Sequence, residues 1–323
     1  MKKFQWTALA GAALLAAAGQ AALAQDNYPS KTIHIIVPQN AGGSADRTAR
    51  QIGQHFTDVF KQSAVIENKP GAISMIGSAY VARSAPDGYT LLFNVPSLAI
   101  FKASLKNPEI DVEKDLSPIS MVANIPLVIA VNSTLPVKNL AEFVAYAKAR
   151  PGKLNYAGLG GQLTLGFEYF KQAAGIYLVQ IPYNGEAQAM PALASNDVQV
   201  AFTTTLAANP LIAAGKVKLI GTTAANLRSP GAPDIPSASE SGMKNFDFYS
   251  WFGMLAPANT PIAMRRKLAD EVAVYLKKPE TLASFKTSGL VPMASTPEEF
   301  GKIITSEIKR WSDVAASIKF EKQ

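Results

Sequence analysis

The chain has no cysteine and only two histidines in 323 residues. Without thiols there is no disulfide and no thiolate chemistry, and the common zinc ligand sets are out of reach. Nucleophilic hydrolysis is poorly served too. No Gly-x-Ser-x-Gly occurs, the pattern that exposes a serine on a strand-to-helix turn; Gly42-Gly43-Ser44 lacks the following glycine. No Gly-x-Gly-x-x-Gly follows the first apolar run and no phosphate loop with Gly-Lys-Ser/Thr is present, and Gly158-x-Gly160 is only a fragment of such a pattern. His34 reads as a strand residue and His55 as the edge of a helical face. The pair Glu298-Glu299 falls at a helix start, where the dipole explains it. Lys and Arg are scattered, with no basic run interleaved with aromatics, so nucleic acid is not an expected partner. These absences leave no expected metal, cofactor or catalytic residue.

What is present begins with a leader. Lys2 and Lys3 precede the apolar stretch Phe4–Ala18, and Ala22-Leu23-Ala24 supplies a small-x-small cleavage pattern. This is the layout of a secretory signal peptide over residues 1–24. Its apolar core is shorter than the roughly 20 residues of a spanning helix. Removal leaves 299 residues, and the formal charge falls from +7 to +5 with the loss of Lys2 and Lys3. A chain of that length makes one large domain or two ordinary ones.

Strand and helix patterns then alternate. Thr32–Val37 is a β-rich run, and Ala45, Ala49, Ile52, Phe56 and Val59 recur at the spacing of one helical face. Ala64–Glu67 and Tyr89–Asn94 read as strands around a short helix at Ile76–Arg83. Met121–Val131 is a longer run broken by Pro126. The grammar repeats in the middle of the chain: Asn139 and Glu142 cap a helix, Lys153–Ala157 is a strand, and Leu163–Ala174 is a helix closed by Gly175. Helices at Glu186–Ala194 and Leu206–Ala214 alternate with strands at Leu178–Ile181, Val198–Phe202 and Val217–Thr222. After the proline-rich Arg228–Pro236, Phe248–Leu255 is strand-like. Thr260-Pro261 and Thr296-Pro297 read as N-caps with proline at the first helical position. Repeated βα units predict an α/β fold of mainly parallel sheets with helices on both faces, in two domains.

The stretch Pro38–Ser44 lies where the first strand hands over to the first helix, the end of a parallel sheet at which ligands bind. Free N–H groups at a helix start favour an anion, and glycines let the backbone come close. Asn155–Gly161 repeats the arrangement in the middle of the chain. Two such turns, one per domain, could face each other over a cleft. Charged hydrogen bonds are worth roughly 1.5–3 kcal/mol each, and micromolar binding needs about 8 kcal/mol. A few amides together with hydroxyls and van der Waals closure could reach that without a cationic side chain. Asp46, beside this anion site, reads as an acceptor for backbone N–H groups of the first helical turn, the alternative being direct contact with a ligand amine or water.

Several stretches together are similar to the periplasmic solute-binding receptors of tripartite tricarboxylate transporters, the Bug-type proteins. They are Tyr28–Ile33, Val37-Pro38 with Gly42-Gly43 and Asp46, Glu67–Ala72, Ala85–Leu91, Ile181-Pro182-Tyr183-Asn184-Gly185 and Trp251–Pro257. The resemblance implies a two-lobed, Venus-flytrap fold of the periplasmic-binding-protein type II kind, each lobe a mostly parallel sheet flanked by helices. The expected division is residues 25–124 plus 248–323 for lobe one and 125–247 for lobe two, with Met121–Val131 and Phe248–Leu255 carrying the hinge crossings. It further implies a monomer in the periplasm that binds a small organic acid, partly through ordered water, and presents it to a membrane permease. The site residues it implies are Gln39, Asn40, Gly42, Gly43, Asp46 and Ser97 in lobe one, with Gly160, Gly161, Thr164, Tyr183, Gly185 and Thr203 in lobe two.

Departures from the family pattern accompany the match. Gly161 and Thr164 stand where a hydroxyl residue and a histidine are common, Ile73-Ser74-Met75 stands for Gly-Gly-Asn, and Thr203 for an aspartate. They imply a less polar pocket, and a ligand with an apolar or aromatic body on its carboxylate rather than a citrate-like triacid. Two alternatives stay open: an exported hydrolase using Ser44 or Ser97, for which no base is identifiable, and a receptor that feeds a sensor instead of a transporter.

Overall fold

The computed structural model describes residues 28–183 and 185–322, so the leader expected over residues 1–24 lies outside the described residues. The chain starts with β1 (Ile33–Val37), in which Ile33, Ile35, Ile36 and Val37 are fully buried. Burial on both faces of a strand is the signature of a central position in a helix-covered sheet. α1 (Ser44–Phe60) follows and presents Ala45, Ala49, Ile52 and Phe56 to that sheet. Val59, expected on the same face, is instead 41% exposed at the last turn.

β2 (Ala64–Asn68), α2 (Met75–Ala82) and β3 (Thr90–Asn94) complete the first βα units. β4 (Leu116–Ile125) leads through Pro126 into β5 (Val128–Asn132). The middle of the chain supplies α3 (Leu140–Lys148), β6 (Asn155–Gly158), α4 (Gly161–Ala174), β7 (Val179–Pro182), α5 (Glu186–Ser195), β8 (Val200–Thr203), α6 (Thr205–Ala213) and β9 (Val217–Thr222). The last part holds β10 (Ser250–Pro257), α7 (Ile262–Leu276), α8 (Pro279–Ser288), β11 (Val291–Pro292) and α9 (Pro297–Ser317). α9 opens with a full capping box between Thr296 and Glu299. α7 starts one residue later than Thr260-Pro261 suggests: Pro261 is the N-cap, and the Thr260 hydroxyl donates to Pro257 O at 2.8 Å.

The strands form two sheets, of order β11-β4-β10-β3-β1-β2 and β7-β6-β8-β5-β9, each flanked by helices, which gives a two-lobed α/β fold. Both sheets are mixed. Parallel pairing is confined to β1 with β2 and β3, and to β6 with β7 and β8. The pairs made by β4, β5 and β10 are antiparallel. The mainly parallel expectation fails for one reason. β4, β5 and β10 flank the two passages between the sheets, and a strand arriving from the other sheet is not returned by the helical crossover that parallel neighbours require.

Those passages lie side by side. The first runs Ile125-Pro126-Leu127; the second returns through Thr223 and Phe248 to β10. Thr223 N–H donates to Leu127 O at 2.9 Å, Phe248 N–H donates to Thr223 O at 3.0 Å, and Ile125 pairs with Ser250. An aromatic cluster packs beside them: Phe167 stacks on Tyr156 and Phe202 at 4.3 and 3.9 Å, and Phe248 meets Phe202 at 5.7 Å and Trp311 at 5.6 Å. Each such ring, fully buried, is worth about 1.5–3 kcal/mol. The cluster thus ties α4, the second passage and α9 into one packed unit.

Candidate functional site

The β1–α1 turn is built around one carboxylate. Gly42 has φ +82°, a conformation open to glycine, and its N–H donates to Asp46 Oδ2 at 2.9 Å. Asp46 is only 3% exposed. Arg50 grips it with Nε and Nη2, both at 3.0 Å, and Asn68 Nδ2 donates to its other oxygen at 3.0 Å. Burial would raise the Asp46 pKa, but the Arg50 hydrogen bond, the Gly42 N–H and Asn68 hold it below the usual carboxylate range. The negative charge is therefore neutralised inside the turn and does not face a guest as a bare anion. Asp46 does serve backbone N–H, as expected, but that of Gly42 before the helix.

Beyond Gly42 the turn is open. Gly43, the N-cap of α1, has φ −73° and ψ 172°, and no side chain caps the helix. The first helical N–H groups consequently have neither an intrahelical acceptor nor a side-chain cap. Asn40, Gly42 and Gly43 are exposed. A Cβ on Gly43 would meet only Asn40 O, at 3.6 Å.

Gln39 and Ser97 belong to a polar network just beneath. Asn94 Oδ1 accepts from Val95 N–H, and Asn94 Nδ2 donates to Ser78 Oγ. That fixes which end of the Asn94 amide is the acceptor, so Gln39 must turn its Nε2 toward it, at 2.9 Å. Gln39 Nε2 also donates to Ser74 Oγ, as does Ser97 Oγ. Gln39 Oε1 is left buried without a partner. Ser97 is itself buried, its hydroxyl engaged by Ser74.

The β6–α4 turn has the same plan with a neutral acceptor. Gly160 has φ +72° and its N–H donates to Thr164 Oγ1 at 3.1 Å. α4 likewise has no side-chain cap. Two contacts orient its first turns against the second passage. Gln162 Nε2 donates to Tyr249 O at 3.2 Å, and Gly166 packs so closely on Phe248 that a Cβ there would lie 2.6 Å from the ring.

A cavity of about 360 Å³ adjoins this second turn. Gly160, Gly161, Thr164 and Tyr183 line it, and Tyr183 is held by its N–H donating to Gly158 O at 2.8 Å. Opposite lie Ile73 of the first lobe and Phe320 and Glu321 of the C-terminal segment. The structure thus brings together four of the expected residues and adds seven others, among them Ile73, Phe320 and Glu321, that sequence reasoning missed. None of residues 39–46 lines the cavity.

The remaining two expected residues lie at the starts of the next two helical segments, Gly185 half-buried and Thr203 fully buried. Gly185, φ +98°, is the N-cap of α5. Thr203 is fully buried and its hydroxyl donates to Glu186 Oε1 at 2.6 Å, where Thr204 N–H also donates at 2.8 Å. Thr203 is thus engaged internally, and Glu186, which sequence reasoning passed over, is the acid that ties α5 to the β8–α6 turn. A glutamate directly after a glycine N-cap could have signalled this.

A family model described as tripartite tricarboxylate transporter family receptor matches residues 48–320. The protein BugT of Bordetella pertussis is 33% identical over 305 residues, covering 93% of both chains. Among solved structures, R. palustris Rpa4515 with adipate superposes with a TM-score of 0.84 at 29% identity, covering 92% of this chain and all of that one. The periplasmic binding protein BugD gives a TM-score of 0.81 at 31% identity, again over 92% of this chain and all of the other. With the family model spanning most of its length and BugT one-third identical throughout, this chain belongs to the tripartite tricarboxylate transporter receptor family.

Proposed function

We propose that the protein is a periplasmic receptor that holds a small organic carboxylate between its lobes and delivers it to a membrane permease. The observation that carries this reading is the pair of matched turns. In each, the N–H of the first glycine is satisfied internally by the side chain four residues on, while the following helix start has no side-chain cap. Uncapped N–H groups at two helix starts are suited to a carboxylate from either side. Adipate bound to the relative Rpa4515 supports a carboxylate as the guest. The family is one of receptors, so Ser44 and Ser97 are not read as nucleophiles.

In this reading lobe one comprises residues 25–124 plus 248–323, and lobe two residues 125–247. Closure bends the paired passages at Ile125–Leu127 and Tyr249–Ser250, and ligand contacts in both lobes bias the closed state. The leader over residues 1–24 directs export, and the mature chain acts as a monomer.

Gly43→Val tests the reading. The backbone at Gly43 is extended and its surroundings are open, so valine fits without strain. Its branched side chain would cover the N–H groups of the turn. Calorimetry with a panel of mono-, di- and tricarboxylates should show binding to the parent protein and at least tenfold weaker binding to a folded Gly43→Val variant. Unchanged affinity in that variant would remove this turn from the site.

A further inference from the structure

Ala72, Ile73 and Ser74 have φ +45°, +56° and +74°, three consecutive non-glycine residues in the left-handed region. For a β-branched residue such a backbone is an outlier, retained only where the surroundings over-determine it. Here they do. The Ser74 hydroxyl accepts from Gln39 and Ser97, and its carbonyl accepts from Ser78 Oγ. With Ser74 pinned in this way, Ile73 is directed out of lobe one and toward lobe two. Its Cγ2 lies 2.9 Å from where a Cβ on Gly161 would stand, so the two residues meet across the gap between the sheets.

Ile73 also lines the cavity beside Gly160, Gly161 and Thr164. Among the described residues lining that cavity there is no Lys or Arg, and Glu321 is its carboxylate. A guest with several carboxylates would bring further negative charge next to Glu321 with no cation to offset it. An apolar body would instead cover the Ile73 methyl groups.

We propose that Ile73 is a specificity-determining residue. With Gly161 it forms an apolar wall across the gap, and it selects a carboxylate whose remaining body is aliphatic or aromatic over a polycarboxylate. This rests on the carboxylate-receptor reading above. Asparagine tolerates the left-handed backbone better than isoleucine does, so Ile73→Asn exchanges the apolar wall for a polar one while the relieved backbone offsets part of the lost packing.

Calorimetry on the mature chain with hexanoate, benzoate and citrate tests the proposal. The parent protein should bind hexanoate or benzoate at least tenfold more tightly than citrate. Ile73→Asn, shown by its thermal transition to be folded, should lose at least tenfold for the apolar acids while citrate is unaffected or improved. An unchanged ranking in folded Ile73→Asn, or citrate preferred by the parent, would overturn this proposal and leave the receptor reading intact; no binding of any carboxylate by the parent would overturn both. A second measurement does not depend on ligand. Gly161→Ala should lower Tm by several degrees, and by clearly less in an Ile73→Gly background. Equal losses in the two backgrounds would contradict the contact.

Discussion

At the β1–α1 turn the residue four beyond the first glycine is a buried carboxylate; at the β6–α4 turn it is a threonine. Asp46 joins Gly42 to α1 through Arg50 and to β2 through Asn68, so the first turn is fastened into its own sheet. Thr164 hydrogen-bonds back to Gly160, and the second turn takes its orientation from Tyr249 and Phe248 on the return passage. On the closure proposed above, the first turn is a fixed jaw, and the second is keyed to the return passage that would bend. The same backbone grammar serves rigidity on one side and coupling on the other.

Substitutions can break this contrast in graded steps. The largest loss is expected for Asp46→Ala, which strands the Gly42 N–H, the Asn68 amide and Arg50. Arg50 is half-exposed and regains water, so a cost of about 2–3 kcal/mol in urea unfolding at neutral pH is expected. Its pH dependence sharpens the point. The folded pKa of Asp46 lies below its ordinary value of 3.8, so its stabilisation is complete above that value and fades as pH falls through the folded pKa. Asp46→Asn should flatten the loss of stability below about pH 4 relative to the parent, and identical acid unfolding curves would contradict the charge-held turn.

Next in size come Gly42→Ala and Gly160→Ala. Both positions have positive φ and open surroundings, so backbone strain alone acts, at roughly 1–2 kcal/mol each. Thr164→Ala should cost about 1 kcal/mol, a single neutral hydrogen bond, and the ratio of Asp46→Ala to Thr164→Ala measures the asymmetry directly. Gly43→Ala is the smallest, within about 0.5 kcal/mol, because its backbone is extended. Equal losses for Asp46→Ala and Thr164→Ala would remove the distinction between a fixed jaw and a keyed one.

Much of the architecture was legible in the sequence because it is local. The burial of β1 follows from Ile33–Val37, the α9 start from Thr296 and Glu299, and the separation of β4 from β5 from Pro126. The direction of β4, β5 and β10 was not legible, since antiparallel pairing there depends on how two passages lie against each other. The two glycine turns could be read from spacing, and Asp46 as an acceptor of backbone N–H. Ile73 could not, because nothing in its sequence neighbourhood calls for left-handed backbone; that conformation is set by Ser74 hydrogen bonds to Gln39 and Ser97, residues distant in the chain. The hydrogen bond of Thr203 was not legible for a related reason: its partner, Glu186, is brought to it only by the packing of α5 against β8.

Backbone N–H groups of both turns are proposed to hold one carboxylate. Amide NMR during titration of the mature chain with a binding carboxylate reads those groups directly. Downfield proton shifts are expected for the amides that follow Gly42 and Gly160, in both turns, saturating together at one dissociation constant. Saturable binding that moves the amides of only one turn, or of neither, would contradict it.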